Sequence, residues 1–304
     1  MNENTAKQKF IVSCDSSADL FERDLIENDV YCLVMTYIQD GKEVTKLFKN
    51  SKELDLFYED IKEGARPSTA AINPTEYEEY FTQILQSNPD GDILHITLSS
   101  GLSLTWENAV KVASEMNAKL ENRKIVVVDS LIATHGIAQL IDIAIECRDA
   151  GNDVDTAAKK VEYVRDHQQG WVVVTDLFHL KRGGRISGVK AALGTLLGVK
   201  PIVIVAKNGK LAIQNKIKGQ KKAINYILDK VDEMGVKARE DFYEHTVYLV
   251  KSSTHEVYDE FKAAFKERFP KAKIKEGQVG TIVGTHLGGG CAVVIFQGAK
   301  RLDI

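Results

Sequence analysis

The sequence predicts an α/β protein in two parts: a three-layer α/β/α half with a parallel sheet over residues 1–169, and a two-layer α/β half with a mixed sheet over residues 170–304. Three observations lead there. In the first half, short apolar runs at 9–14, 93–98 and 125–128 alternate with amphipathic segments, the pattern of a doubly wound sheet. Those runs end in hydroxyl or carboxyl residues: Asp15-Ser16-Ser17, Ser99-Ser100 and Asp129-Ser130. Ligands of open parallel sheets bind at such carboxyl ends. In the second half, Asn208-Gly209 stands between two β-like runs, a hairpin signal that a parallel sheet does not need.

The elements follow in order. The first strand leads through 15–19 into a helix around 20–28, and residues 31–38 alternate as one strand closed by an Asp40-Gly41 turn. Apolar spacing at Leu54, Phe57, Tyr58 and Ile61 makes 52–63 a helix. Pro67 and Pro74 exclude a continuous helix over 66–74. Thr75 is expected to cap the helix carrying Tyr77, Phe81 and Leu85. The buried strand at 93–98 runs into the Ser99-Ser100-Gly101 turn and an amphipathic helix. A strand at 123–129, an apolar helix at 136–147 and a polar helix at 155–167 complete the first half. Gly170-Trp171 opens the second, with the hairpin at 201–216, helices at 221–234 and 257–269, and strands at 245–251, 273–276 and 291–296.

Composition narrows the function. With 40 basic and 43 acidic residues the formal net charge is −3, which makes no electrostatic case for nucleic acid. No apolar run is long enough to span a bilayer, and residues 1–9 lack a signal-peptide core; stable membrane insertion is not expected and a cytoplasmic location is. Cys14, Cys32, Cys147 and Cys291 form no CxxC pair, and three of them lie in apolar surroundings, which favours buried thiols over disulfides or a metal site. The seven histidines are scattered, with no metal-binding spacing. There is no dinucleotide or P-loop fingerprint.

Three stretches carry chemistry. Ser99-Ser100-Gly101 offers hydroxyls and free N–H groups to a carboxylate or phosphate, although such residues also cap helices without any ligand. Residues 177–187 place basic side chains around Gly183-Gly184, facing either an anion, a partner or solvent. At 280–290, His286 stands among glycines, free for function or bonded to backbone in a tight turn. Ser100, His286 and Asp129 make a serine triad on paper, but no Gly-x-Ser-x-Gly elbow surrounds the serine.

Together these stretches resemble the DegV family, the fatty-acid-binding subunits of bacterial fatty acid kinase. The matches are residues 12–19, 99–103, 128–130, 180–187, 196–201 and 284–286, in family order over nearly the whole chain. The resemblance implies a long-chain fatty acid in a buried tunnel, its carboxylate presented to a separate ATP-binding kinase subunit that makes the acyl phosphate. It implies no cofactor. Thr69 takes the place of the carboxylate-binding threonine, one of Ser99 and Ser100 is the second partner, with Ser100 preferred, and His286 lies near the head group. Arg185 matches an arginine implicated in docking on the kinase subunit, and Lys218 stands where that surface usually has arginine. The chain departs from the pattern at Ala71-Ile72, at Leu104-Thr105-Trp106 and at 287–290. Leu104 and Trp106 bear on tunnel shape, and Ile132, Leu193, Leu196, Leu197 and Ile282 are tunnel-wall candidates. A serine-dependent acyl hydrolase using Ser100 and a self-sufficient kinase of related fold are the alternatives.

Overall fold

The structure is a computed structural model and describes residues 10–186 and 198–303. The first half runs β1 (Phe10–Asp15), α1 (Glu22–Glu27), β2 (Val30–Leu33), β3 (Thr36–Gln39), β4 (Lys42–Thr45), α2 (Ser51–Glu63), β5 (Ser68–Thr69), α3 (Pro74–Ser87), β6 (Asp92–Thr97), α4 (Thr105–Asn117), β7 (Ile125–Asp129), α5 (His135–Asp149) and α6 (Val154–Asp166). Strands β2-β1-β6-β7 form a parallel sheet. Phe10, Val12, Ile93, Leu94 and Ile96 are completely buried in it, because helices cover both faces of such a sheet. Helices α3 and α4 pack together on one side, with α4 against β6 and β7, while α5 lies against β1 and β6 beside α6. The right-handed β6–α4–β7 crossover fixes the face that α3 and α4 occupy; α5 and α6 follow β7 and lie against β1, β6 and β7.

Three local expectations change. Residues 31–38 are not one strand: β2 joins the parallel sheet, whereas β3 turns into a small antiparallel sheet of order β4-β3-β5. The break falls at Met35, whose N–H donates to Ser16 Oγ at 2.9 Å, a tertiary bond that alternation does not reveal. Residues 66–74 are mostly irregular, yet Thr69 pairs with Tyr37 across β5 and β3. The cap of α3 is Asn73 rather than Thr75. Its side chain accepts the Glu76 N–H at 3.1 Å, and Glu76 accepts the Asn73 N–H at 2.7 Å, with Pro74 in the first helical position, where its missing N–H costs nothing.

The second half runs β8 (Gln168–Val173), α7 (Leu177–Arg182), β9 (Val199–Val205), β10 (Leu211–Lys218), α8 (Gln220–Val231), β11 (Thr246–Lys251), α9 (Glu256–Arg268), β12 (Lys273–Gln278), α10 (Thr281–Leu287) and β13 (Ala292–Gln297). Its sheet, β10-β9-β8-β13-β11-β12, is mixed, antiparallel except for the β11–β12 pair. Side chains alternate across it. Trp171, Val173, Ile202 and Ile204 pack with Ile224, Ile227, Phe261 and Phe265 of α8 and α9. Val172, Val203, Val293 and Ile295 face the other way, into the core shared with the first half. The helix expected at 221–234 gives way after Val231 to a wider turn over Asp232–Val236. Helix α10 was not legible as a helix: glycines at 280, 284 and 288–290 interrupt any propensity signal.

Candidate functional site

A cavity of about 410 Å³ lies between the carboxyl-end loops of the parallel sheet and the inner face of the mixed sheet. Leu98 and Ile132 come from the loops, Val172, Val203, Val293 and Ile295 from the strands, and Ile282 and Leu287 from α10. Volumes of this order are those of small-molecule pockets. Ile132 and Ile282, candidates from the sequence, line it. Leu193, Leu196 and Leu197 lie outside the described residues, as does Ser187. Leu104 stands at the rim, 66% exposed; Trp106 does not line the cavity.

The loops that shape it are held by buried polar bonds. Asp15, completely buried, accepts the N–H of Leu98 at 2.7 Å and that of Ser17 at 2.9 Å. Burial raises its carboxyl above the ordinary range, and these bonds oppose the rise. Asp129, at the end of β7, accepts the backbone N–H groups of Ser100 at 3.1 Å and Leu131 at 2.9 Å. Leu131 and Thr134 then hold φ of 49° and 55°, left-handed conformations that cost about 1–3 kcal/mol each in non-glycine residues and concentrate at binding sites.

One end of the cavity is polar. Thr69 Oγ1 is 2.8 Å from His286 Nε2, two side chains that border the cavity from positions far apart in the chain. His286 Nδ1 donates to the carbonyl of Gly183 at 3.1 Å. A carbonyl can only accept, so Nδ1 carries the proton and Nε2 of the neutral ring accepts from the Thr69 hydroxyl. Burial, then the charge of Arg185, push His286 down to about 4, against the opposing bond to Gly183. Gly183 is required there: a Cβ would stand 2.8 Å from the His286 carbonyl oxygen. His286 is therefore bonded to backbone as well as to Thr69, and it sits on α10 rather than in a loop.

The adjacent serines part ways. Ser100 borders the cavity. Ser99 does not: it is completely buried, its hydroxyl donates to Gly209 O at 2.9 Å and accepts the Gly101 N–H at 3.1 Å. It fastens the tip of the β9–β10 hairpin to the first half. Arg185 reaches the cavity edge, its Nη1 donating to Gly183 O at 2.9 Å. Lys218, exposed at the end of β10 opposite Val199, lies away from the cavity. Ser100, His286 and Asp129 form no relay, since both imidazole nitrogens are engaged by Gly183 and Thr69, and Asp129 Oδ1 holds backbone N–H groups. Sequence reasoning missed Gly183 as the carbonyl that fixes the His286 tautomer. It also missed the strand valines as walls, although alternation around Trp171 carried that signal.

Among the described residues no group of three or more His, Cys, Asp or Glu side chains is placed to hold a metal ion, and no helix is long and apolar enough to cross a membrane. Cys14, Cys147 and Cys291 are buried free thiols; Cys32 is partly exposed.

Fold and site define a two-part α/β protein built around an apolar cavity with a hydroxyl–imidazole end. The DegV family model, described as an uncharacterised protein of that family, matches residues 9–298, and the chain belongs to the DegV family. It is 31% identical over 295 residues to a DegV domain-containing protein of Caldanaerobacter subterraneus, covering 95% of this chain and 99% of the relative. Among solved structures it is similar to a fatty-acid-binding DegV family protein of Streptococcus agalactiae (TM-score 0.82, 25% identity, 96% and 100% of the two chains). It shares its fold with a stearic-acid-binding protein of Eubacterium ventriosum (TM-score 0.81, 20% identity, 95% and 98%).

Proposed function

We propose that this protein binds a long-chain fatty acid in the apolar cavity, with the carboxylate at Thr69, Ser100 and His286, and presents it to a separate kinase subunit for phosphorylation. The observation that carries the reading is the Thr69–His286 pair, 2.8 Å apart, at the polar end of a cavity walled mostly by aliphatic side chains. An acyl chain gains roughly 0.8 kcal/mol per buried methylene, so the walls supply most of the affinity. Hydrogen bonds to the charged head contribute about 1.5–3 kcal/mol each and fix which end faces the polar groups. Relatives with fatty-acid-binding names share the fold over nearly their full length. Arg185 and Lys218, both exposed on the second half, are the docking residues proposed for the kinase.

The test is mass spectrometry of lipid extracted from protein purified under native conditions, followed by titration of delipidated protein with palmitate. A copurifying fatty acid and saturable palmitate binding are expected. No lipid in the extract and no binding on titration would refute the carrier reading. Docking is tested by adding a DegV-type system's ATP-binding subunit: acyl phosphate should form with wild-type protein and fall in Arg185→Ala and Lys218→Ala.

A further inference from the structure

Cys14 of β1 and Cys32 of β2 stand opposite one another in the parallel ladder. Paired residues of neighbouring strands send their side chains to the same face of a sheet, and neighbouring strands lie roughly 4.8 Å apart. That spacing falls inside the roughly 4.4–6.8 Å Cα separation that a disulfide takes. The two thiols meet: the Cys14 side chain is hydrogen-bonded to that of Cys32, and this bond, then burial, push the Cys14 thiol well above its usual range.

Both are free thiols, but they differ in access. Cys14 is completely buried, whereas Cys32 is partly exposed, because β2 is an edge strand of its sheet. Cys147 belongs to α5 and Cys291 precedes β13, so neither takes part in a strand ladder. One cysteine alone would be a small apolar filler of the core. Two in contact, one within reach of solvent and the other beneath it, make the arrangement of an oxidisable thiol and its resolving partner.

We propose that Cys14 and Cys32 form a reversible dithiol–disulfide site, oxidised by a peroxide at Cys32 and closed by Cys14. Hydrogen peroxide transfers one oxygen to the Cys32 sulfur, which gives a sulfenic acid and one water. The Cys14 sulfur then attacks the Cys32 sulfur. The S–S bond forms, the S–O bond breaks, and the hydroxyl leaves with the Cys14 proton as a second water. Two thiols are oxidised and one peroxide is reduced, and an added dithiol reverses the step by thiol–disulfide exchange. The bridge staples β1 to β2 directly beside Asp15, the carboxylate that holds the Leu98 N–H. It is independent of the fatty-acid reading.

The test treats the reduced, full-length protein with hydrogen peroxide, then alkylates it with N-ethylmaleimide in denaturant and weighs it by mass spectrometry. Circular dichroism before alkylation checks that the fold is kept. Alkylatable thiols should fall from four, the number of cysteines in the chain, to two, with the peptides of Cys14 and Cys32 joined after digestion. Dithiothreitol should restore all four. In Cys14→Ala, Cys32 should stop at the sulfenic acid, which dimedone captures, and no bridge should form. Four alkylatable thiols after peroxide would overturn the proposal. So would bridges between molecules only, a bridge that forms only once the dichroism is lost, or Cys32 oxidised to the sulfinic acid while Cys14 still alkylates. Each of these is read on the wild type, so the outcome stands even where Cys14→Ala does not fold.

Discussion

Two hydroxyl–imidazole pairs in this molecule have the same length and opposite surroundings. Ser13 Oγ lies 2.8 Å from His95 Nδ1, and Thr69 Oγ1 lies 2.8 Å from His286 Nε2. The first is sealed: Tyr77, Tyr80 and Phe81 ring His95 at centroid distances of 5.4, 6.0 and 5.3 Å, and Ser13 also bonds Tyr80. Burial alone pushes His95 down to about 3. The second pair borders an aliphatic cavity and a cation. A serine or threonine touching a histidine is thus not in itself a site. What adjoins the pair decides whether it holds the core together or receives a ligand.

The sharpest way to break the comparison is to remove one member of each pair. His95→Ala should cost about 3 kcal/mol of stability, since it empties a packed aromatic cage, while the folded protein keeps its palmitate affinity. Urea denaturation and titration would show this, and lost affinity at full folding would mean the sealed pair communicates with the cavity. Thr69→Ala with Ser100→Ala should do the converse: palmitate weakens about thirtyfold to a hundredfold, its methyl ester less, and stability moves by under about 1 kcal/mol. Equal losses for acid and ester would point to damaged packing.

A smaller effect separates Ser99 from Ser100. Ser99→Ala strips a buried carbonyl of its donor and should cost about 1–2 kcal/mol, read as a lowered melting temperature, whereas Ser100→Ala should leave stability nearly unchanged. The smallest effect is in pH. The unfolded chain protonates histidine near 6.5, but folded His286 does so only at about 4. Stability therefore falls as pH drops from about 6.5 toward 4, and His286→Gln should flatten that acid limb slightly. His95 and His135, held by burial at about 3, steepen the same limb. Asp19 has the opposite sign: burial raises it to about 7, so its contribution is present below 3.8 and lost as pH rises through about 7. A His286→Gln profile that ran parallel to wild type between pH 6.5 and 4 would contradict the assignment to His286.

The comparison also explains what was legible. The parallel strands were, because burial on both faces leaves uninterrupted runs such as Phe10-Ile11-Val12; the run Ile125-Val126-Val127-Val128 reads as fully buried, but it forms the edge strand β7, where Val126 and Val127 are half-buried. The hairpin was, because Asn208-Gly209 encodes its own turn. The division of residues 31–38 into two strands was not, since Ser16 makes the bond that breaks it. Helix α10 was hidden by its glycines, which serve close approach rather than helix propensity. Thr69 and His286 were singled out separately through resemblance to a family, and no local pattern says that they meet. Nor does one say that Ser99 faces Gly209 while its neighbour faces the cavity. Those facts depend on how two sheets dock, which is decided over long sequence separations.

The hydroxyl of Ser99 reaching the hairpin tip has a wider consequence. It latches together two halves whose mating surfaces are partly hollow, and anything lodged in that hollow touches both. A guest there acts as mortar. Filling should delay separation of the halves on heating by mass action, and the vacant protein should be the one whose seam protease finds first.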